Sequence, residues 1–331
     1  MPSTAKSRPI IATSIGEPAG IGPEVVAKAW ASGEVHRLAR PVAIGSEYVM
    51  QQGAEIAKVR AKVRKIQSLD ELGDSPEVID IIDTGALDPK DFKMGQDTLA
   101  GGLASKEWMD QANALANSGK ASASVFAPIS TGSLKMAGKL DSVININPGE
   151  TYLFLVSGPL RIMHLTDHMP LRRVGDLITE DLMYSALQTL NTTMRKWGVA
   201  KPRIIVAGFN PHAQGEEEAK QMAPAVKRAQ ANGINAVGPD SPDAVFRQCI
   251  EDRYDVVLAM YHDQGHIPIK TWGFAGNCAI IVGLPYLSMS VAHGTAFDIV
   301  GKGIADHSMM QSAMCTAGSL AAGAGFIKET A

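Results

Sequence analysis

Cysteine and aromatic residues are scarce in this sequence. The 331 residues include three cysteines, Cys249, Cys278 and Cys315, and no two of them have CxxC spacing. This excludes a disulfide framework and a zinc knuckle. We interpret the cysteines as small buried residues of a reducing compartment, which predicts a cytoplasmic location. Aromatic residues make up 5% of the chain, against 32 glycines, a mix typical of helices packed on a sheet.

Charge of one sign and long apolar runs are also absent. The net charge is −3 and no basic stripe occurs, which argues against nucleic-acid binding. No apolar run reaches the length of about 18 residues that a membrane span needs. The N-terminal sequence MPSTAKSRPIIATSIG has no secretory apolar segment. We therefore expect neither a nucleic acid nor a membrane as a partner.

The GxGxxG dinucleotide fingerprint is missing as well, because GEPAGIGPE does not match it. Short apolar runs instead alternate with helical patterns, which predicts an α/β fold with mostly parallel sheets. A chain of this length exceeds one ordinary core, so we predict two α/β domains, residues 1–131 with about 305–331 and residues 132–304. The predicted strands span residues 9–15, 40–45, 77–83, 121–130, 161–166, 202–210, 255–262 and 278–285.

Three histidines, His168, His212 and His262, each come just beyond a predicted strand. Open α/β sheets bind ligands at the carboxyl ends of their strands, and converging neutral imidazoles are typical ligands of a divalent transition metal. The alternative for each one is a polar loop residue or a hydrogen-bonded, half-buried histidine. His164 and His266 are weaker candidates, because the first lies inside a strand pattern and the second follows a glycine.

The stretch MYHDQGHIPIK, residues 260–270, places His262 and His266 four residues apart, as in the HExxH helix of metalloproteases. Gly265 and Pro268 predict that this stretch is not a helix, and the glutamate is absent, so we reject that interpretation. Lys270 could bind an anionic substrate group or act as an acid or base, or it could be a solvated surface lysine.

Two further segments carry candidate residues. Asp243 follows a short strand-like run, where it could complete a metal site or cap the next helix. The Gly-spaced stretch HGTAFDIVGKGIAD, residues 293–306, could bring backbone close to a nucleotide or form an ordinary loop and helix cap.

Taken in order, five motifs resemble those of 4-hydroxythreonine-4-phosphate dehydrogenases. The motifs are IGEPAGIGPEV, TDHMPLRR, GFNPHA, MYHDQGHIPIK and SVAHGTAFDIVGKG, and they span roughly residues 10–310. A more distant likeness is to isopropylmalate and isocitrate dehydrogenases. The resemblance implies two α/β domains of that type with a cleft between them, NAD or NADP bound without the Rossmann fingerprint, and a homodimer with an active site shared across the interface.

The resemblance also implies particular site residues. His168, His212 and the partner subunit's His262 would bind one divalent metal, with zinc preferred over cobalt, manganese, nickel or magnesium. Lys270 and Asp243 would be the catalytic residues. The reaction would oxidise a secondary alcohol β to a carboxylate and then release CO2. The implied cofactor contacts are His293, Gly294, Thr295, Asp298 and Gly301.

The sequence departs from the family pattern where relatives hold phosphate. GHTE is replaced by GETY, which contains Glu150 and Thr151, and Ala279 and Ser288 stand where Asn and Arg are expected. Each lost charge-assisted bond removes about 1.5–3 kcal/mol, which favours a non-phosphorylated hydroxy acid. The predicted substrate-binding residues are Glu150, Thr151, Lys270, Ala279 and Ser288.

We therefore predict a metal- and NAD(P)-dependent dehydrogenase that acts on an aromatic cis-dihydrodiol carboxylate, of the terephthalate dihydrodiol type. The stretch HDQGHIPIK resembles that branch of the family. The alternative substrates are 4-hydroxythreonine 4-phosphate and a phosphorylated tetronate. An alternative from another class is a metal-dependent hydrolase or lyase that does not use NAD.

Overall fold

Strands and helices alternate along the chain, which confirms the predicted α/β class. The computed structural model describes residues 8–88, 90–143, 146–273 and 277–327. The strands are β1 (Ile10–Ser14), β2 (Arg40–Gly45), β3 (Lys62–Lys65), β4 (Val78–Asp83), β5 (Ala123–Phe126), β6 (Tyr152–Ser157), β7 (Leu160–His164), β8 (Ile204–Ala207), β9 (Ala236–Asp240), β10 (Val256–Ala259), β11 (Cys278–Val282) and β12 (Leu287–Val291). The helices are α1 (Gly22–Ala31), α2 (Glu34–Leu38), α3 (Glu47–Ala57), α4 (Leu99–Asn117), α5 (Thr131–Met136), α6 (Val174–Leu177), α7 (Glu180–Lys196), α8 (Ala223–Ala231), α9 (Val245–Ile250), α10 (His262–Trp272) and α11 (Ser308–Ala321).

The first unit consists of residues 1–145 and 285–322. Its strands lie in the order β3-β4-β2-β1-β5-β12, and each neighbouring pair is parallel. The central strand β1 is buried from Ile11 onward, as expected for a parallel strand covered by helices on both faces.

The second unit consists of residues 146–284 and 323–331. Its strands lie in the order β11-β6-β7-β10-β8-β9. The β11–β6 and β6–β7 pairs are antiparallel, and the pairs from β7 to β9 are parallel. Strands β8 and β10 are buried at every residue, so this unit has its core around its parallel strands.

The unit boundaries differ from the sequence-based domain limits of 131 and about 305. The chain re-enters the first unit at residue 285, because β12 pairs with β5 in parallel register, Leu287 beside Ala123. Residues 323–327 belong to the second unit. There the Phe326 ring stacks on Phe154 at 5.9 Å and meets the Trp197 ring edge-on at 5.8 Å.

The turn between β1 and α1 forms as the sequence predicts. Helix α1 begins at Gly22, with Pro23 in its first turn and the acidic Glu24 near its positive end. A Cβ on Gly22 would lie 2.3 Å from the carbonyl oxygen of Ile15, so a side chain there would separate the helix from the strand. Glu24 Oε1 accepts hydrogen bonds from Lys28 Nζ at 2.7 Å and from the Ala305 amide at 2.9 Å.

The three cysteines are all buried and form no disulfide, as predicted. Over the described ranges, no helix combines the length and the apolar character that crossing a membrane requires.

Glu17, in the turn after β1, is a fully buried carboxyl of the first unit. Its Oε1 accepts a hydrogen bond from the Ala19 amide at 3.2 Å, and its Oε2 has no hydrogen-bond partner among the described residues. Burial, with a smaller contribution from negative Asp97, raises the pKa of Glu17 from 4.5 to about 7. Between pH 4.5 and about 7, Glu17 is therefore protonated in the folded protein and ionised in the unfolded chain.

This proton makes the stability of the protein depend on pH. Because the folded pKa of Glu17 exceeds the unfolded value, the contribution of this carboxyl group to the free energy of unfolding is present in full below pH 4.5. That contribution is lost as pH rises through 7. We expect Glu17→Gln, relative to the unchanged protein, to gain about 3 kcal/mol in unfolding free energy between pH 4.5 and about 8. Urea denaturation at the two pH values measures this gain. Glu55→Gln, at an exposed site on α3, is the control, and an equal pH response of both variants would contradict the assignment.

Candidate active site

The carboxyl ends of β7, β10, β8 and β9 lie side by side in the second unit. These strands are parallel neighbours, and the last residue of β10, Ala259, is in register with His164 at the end of β7. The segments that follow them carry His168, His262, His212 and Asp243, with His262 as the first residue of α10. Polar side chains from four separate segments are therefore collected at one edge of the sheet, where α/β proteins bind ligands.

Hydrogen bonds between loops fix these strand ends. The amide of Leu165 donates to Ala259 O at 2.8 Å, and Thr166 Oγ1 donates to Met260 O at 2.8 Å, which joins the β7 loop to β10. Gln264 Oε1 accepts from the Met260 amide at 2.6 Å, and its Nε2 donates to Gly208 O at 2.7 Å. Gln264 therefore links the end of β10 to the end of β8.

Glu218 holds the loop after β8. Its Oε1 accepts from the amides of Phe209 and Asn210 at 2.8 and 2.7 Å, and its Oε2 accepts from Asn210 Nδ2 at 2.8 Å. His212 follows with a φ of 55°, a left-handed conformation that is uncommon for a residue other than glycine. Such a conformation persists where the surrounding structure determines it.

Asp167, His168 and His262 form a cluster in which ligand atoms of the three residues lie within 4.8 Å of one another. The rings of His168 and His262 are 4.7 Å apart between centroids. Asp167 is 6% exposed, and its Oδ1 lies 3.0 Å from His168 Nδ1 but accepts no hydrogen bond. A cation bound beside this oxygen would stabilise it, because a buried carboxylate oxygen without a hydrogen bond is unfavourable.

This cluster fits a divalent metal ion. Two imidazoles and a carboxylate are a donor set that transition metals take. His262 Nδ1 donates to Asp263 Oδ1 at 2.7 Å, which leaves the lone pair of Nε2 available. The same hydrogen bond lowers the pKa of Asp263, so its carboxylate is ionised and orients the imidazole.

His212 and Asp243 line the same pocket but stand apart from this cluster. The pocket has a volume of about 1210 Å³, and its wall also includes Asp167, His168 and His262. A hydrogen bond from Ser241, followed by smaller effects that include the nearby His212, lowers the pKa of Asp243. Helix α9 begins after Ala244 without a side-chain cap, so Asp243 does not have the alternative role of helix cap.

Residues 262–272 form a helix, so the prediction that Gly265 and Pro268 exclude one is wrong. Gly265 lies where α10 crosses β7: a Cβ there would be 2.2 Å from His164 Nε2 and 2.8 Å from Ile162 Cγ2. The glycine is required by this close approach and does not break the helix. Because α10 is helical, the rings of His262 and His266 stack at 3.6 Å, one turn apart.

Lys270 continues that face of α10, one further turn along. Its side chain is exposed and does not belong to the pocket wall, to which Ile267, Pro268 and Thr271 contribute from the neighbouring face. Burial, assisted by His262, lowers the pKa of His266 to about 4. One face of α10 therefore carries three groups in a row. His262 is a potential metal ligand, the neutral ring of His266 can form hydrogen bonds, and Lys270 supplies an ammonium group.

The predicted substrate residues of the second unit lie at and beside β6. Thr151 Oγ1 accepts from the Asn147 amide at 2.9 Å, and the exposed Glu150 precedes it in the same turn. Ala279, on β11, faces Leu155 in the antiparallel pair and packs against the core of the unit. It offers a methyl group where the family pattern has an amide.

The remaining predicted residues lie in the first unit. Ser288 is 3% exposed on β12, beside Ser124 of β5. Thr295 O accepts from the Ile21 amide at 3.0 Å, so the cofactor loop packs on the glycine-rich turn. His293 Nδ1 donates to Gly294 O at 2.9 Å, and its buried Nε2 has no partner among the described residues. Gly294 and Asp298 are exposed, and Gly301 has a φ of 79°.

Sequence reasoning missed Asp167, Gln264 and the role of Gly265. Asp167 adjoins His168 in the motif TDH, and an acid beside a candidate metal ligand was a usable signal. The contacts of Gln264 and Gly265 depend on how α10 sits on β7 and β8, which no local pattern encodes.

Several relatives that match this chain over nearly its full length are named as dehydrogenases. A protein of Novosphingobium aromaticivorans, assigned as a 4-hydroxythreonine-4-phosphate dehydrogenase, is 53% identical over 98% of both chains. A protein of Halalkalibacterium halodurans, assigned as a D-threonate 4-phosphate dehydrogenase, is 37% identical over 92% of this chain and 94% of its own length. The crystal structure of a 4-hydroxythreonine-4-phosphate dehydrogenase from Burkholderia phymatum matches with a TM-score of 0.83 and 34% identity, and covers 95% of this chain and 99% of that chain.

The prediction of a non-phosphorylated dihydrodiol substrate is wrong. The terephthalate 1,2-cis-dihydrodiol dehydrogenase of Burkholderia xenovorans LB400 is a structural neighbour, at 27% identity and a TM-score of 0.67 over 91% of this chain and 95% of that one. The relatives with higher identity are named for phosphorylated substrates. The replacements at Ala279 and Ser288 therefore do not exclude a phosphorylated substrate.

A family model described as pyridoxal phosphate biosynthetic protein PdxA matches residues 37–317. This match covers most of the chain and agrees with the full-length relatives. The chain therefore belongs to the PdxA family.

Proposed function

We propose that this protein is a divalent-metal-dependent, NAD(P)-linked dehydrogenase of a 4-phosphorylated β-hydroxy acid. The observation that carries the proposal is the cluster of Asp167, His168 and His262 at the carboxyl edge of a parallel sheet. Phosphorylation of the substrate is supported by the relatives, since both curated names describe a hydroxy acid phosphorylated at position 4.

Asp167, His168 and His262 would hold the metal, and His212 faces them from the same pocket. A divalent ion held there would supply the positive charge that lowers the pKa of a substrate alcohol. Asp243, ionised beside His212, can keep that imidazole in one orientation. Because His262 is oriented by Asp263, the ligand atom is prepared before the substrate arrives.

Lys270 would bind an anionic group of the substrate. It is the ammonium group on the face of α10 that carries His262 and His266, and its charge contributes to lowering the pKa of His266. Because Nδ1 of the neutral His266 donates to the carbonyl of His262, its Nε2 can accept a hydrogen bond without repelling the metal. With Ala279 and Ser288 lacking ionic groups, Lys270 becomes the principal cation proposed for this role.

The loop from His293 to Gly301 would contact the cofactor. Its fit rests on the buried Nε2 of His293: since Nδ1 carries the proton, Nε2 is an unsatisfied acceptor that a hydroxyl or amino group of a dinucleotide can satisfy. The open space around Gly294 permits close approach of a ligand to its backbone. When bound, the nicotinamide would supply the acceptor for the hydride of the carbinol carbon. Loss of CO2 from the resulting β-keto acid, with a proton taken up at the carbon that carried it, would complete the reaction.

A homodimer is part of the proposal. Leu171 and Ile267, on the wall of the pocket of the second unit, are 59% and 64% exposed, and Val174, Phe209 and Phe246 extend the same apolar wall. Large exposed apolar surfaces of this kind mark interaction sites. A second copy of the chain is the occupant that the family resemblance favours.

A comparison of matched substrates tests the function. With added divalent metal and NAD or NADP, we expect kcat/KM for a 4-phosphorylated β-hydroxy acid to exceed that for the same acid without phosphate by at least about 100-fold, since two charge-assisted bonds of about 1.5–3 kcal/mol each are at stake. Absorbance of the reduced nicotinamide measures both. Equal or faster turnover of the unphosphorylated acid would refute the phosphate assignment, and no reduction with either substrate would refute the dehydrogenase.

A further inference from the structure

His164 is a buried histidine that the proposed reaction does not use. It is 1% exposed, and its Nδ1 donates to the carbonyl of Leu153 at 3.1 Å. A carbonyl only accepts hydrogen bonds, so Nδ1 carries the proton and Nε2 carries a lone pair. That Nε2 has no hydrogen-bond partner among the described residues. Burial, with a smaller effect of His266, lowers the pKa of His164 to about 3, so the ring is neutral. A side chain that only donated to the Leu153 carbonyl could fill this place without a buried, unpaired ring nitrogen.

The unpaired Nε2 faces helix α10 at Gly265. A Cβ on that residue would lie only 2.2 Å from Nε2, a distance that real Cβ contacts do not reach. The edge of the His164 ring therefore lies directly against the helix backbone, and the height of α10 above β7 is set by this contact. Any side chain at position 265 would lift or tilt the helix.

The same ring begins a series of imidazoles that ends at the metal cluster. The centroid of His164 is 4.9 Å from that of His266, His266 is 3.6 Å from His262, and His262 is 4.7 Å from His168. His266 Nδ1 donates to the carbonyl of His262 at 3.0 Å, so its ring is held by the first turn of α10. A shift of the helix on β7 would therefore displace the Nε2 ligand atom of His262.

We propose that His164 is a positioning residue, which acts through Gly265 and His266 to place the Nε2 ligand atom of His262. The inference rests on the metal site of the proposed function. His164 itself binds no metal in this arrangement, because its Nε2 is covered by Gly265. The contact between the histidine at the end of β7 and the glycine in the first turn of α10 sets the position of the helix, and thereby the position of the metal ligand on it.

Metal titrations of single and double variants test this role. We expect Gly265→Ala to weaken binding of Co²⁺ about 10- to 100-fold, the range seen when groups that orient metal ligands are changed. His164→Ala should also weaken binding, because the support under α10 is lost. In His164→Ala/Gly265→Ala the smaller residue makes room for the new methyl group, so this variant should bind Co²⁺ more tightly than Gly265→Ala alone. Calorimetry gives the dissociation constant, and the visible absorption of bound Co²⁺ reports its ligand geometry.

Gly175→Ala is the matched control, because a Cβ at that glycine of α6 would meet Phe209 and Glu217 at ordinary distances of 3.5 and 3.6 Å. Should Gly265→Ala fail to fold, His164→Gln is the second variant, because it keeps a donor for Leu153 and removes the ring. Weaker Co²⁺ binding by His164→Gln would support the positioning role, and unchanged binding would contradict it. Unchanged Co²⁺ affinity and absorption in the folded variants would overturn the positioning role while leaving the metal site intact. Failure of the unchanged protein to bind Co²⁺ would overturn the metal site and this inference together.

Discussion

Replacing His168 by alanine is expected to remove the bound metal and to lower kcat/KM by about 1,000-fold or more. Metal ions supply several kcal/mol of transition-state stabilisation in such reactions, and about 4 kcal/mol corresponds to that factor. His168 is also the side chain next to the unpaired Oδ1 of buried Asp167, so its loss removes half of the imidazole pair at the cluster. Metal content after dialysis and initial rates of nicotinamide reduction measure the two effects.

His307→Ala is the control, because this histidine precedes α11 in the first unit and belongs to no predicted ligand set. Retention of stoichiometric metal by His168→Ala would contradict the proposed cluster. Mixed dimers of His168→Ala and His262→Ala chains extend the experiment. Recovery of activity would assign His262 to the partner's site, as the family resemblance implies. Absence of recovery would assign it to the site of its own chain, where it lies beside His168.

Lys270→Ala is expected to lower kcat/KM for the phosphorylated substrate by about 100-fold, mainly through a higher KM. Removal of a cation that binds an anionic group costs about 1.5–3 kcal/mol for each charge-assisted bond. The side chain is exposed in the structure, so its loss should not affect folding, and the thermal midpoint should stay unchanged. Steady-state kinetics with both the phosphorylated and the unphosphorylated acid separate binding of phosphate from general loss of activity.

Lys227→Ala, an exposed lysine on α8, is the matched control and should behave like the unchanged protein. If Lys270→Ala lowers kcat without changing KM, the lysine acts in the chemical step and not in anion binding. Full activity of Lys270→Ala would remove it from the site altogether.

The sequence was sufficient to predict the buried parallel strands, because they read as apolar runs. Strand β2 was predicted with its observed limits, Arg40–Gly45, and β10 lies inside the predicted range. Strand β3, Lys62–Lys65, has three charged residues and is an edge strand. Because it is mostly exposed, its sequence is not an apolar run that would predict a buried strand. Strand β12, LSMSV, carries polar residues that pack beside β5, and only the pairing reveals it. The hairpin of β6 and β7 turns at Gly158 and Pro159, a signal that was present and overlooked.

The features of the candidate site that depend on chain order were predictable, and those that depend on distances between side chains were not. Loops after parallel neighbours must meet at one edge, so His168, His212 and His262 could be grouped from the sequence. The distances within the group could not, and the structure places Asp167 rather than His212 beside the other two. Glycine and proline in residues 262–270 have local preferences against a helix, but the contact of Gly265 with His164 outweighs them.

Neither unit is continuous along the chain, and this constrains the order in which the protein can be completed on the ribosome. Strand β12, needed beside β5, and the ring of Phe326, which covers Phe154 and Trp197, both come from residues after 284. A nascent chain that has emerged only to that point lacks a strand of one unit and an aromatic cover of the other. Domains usually fold as they emerge during synthesis, but here neither unit can be completed before residues beyond 284 have emerged, and a fragment cut at residue 284 would leave two unfinished bodies.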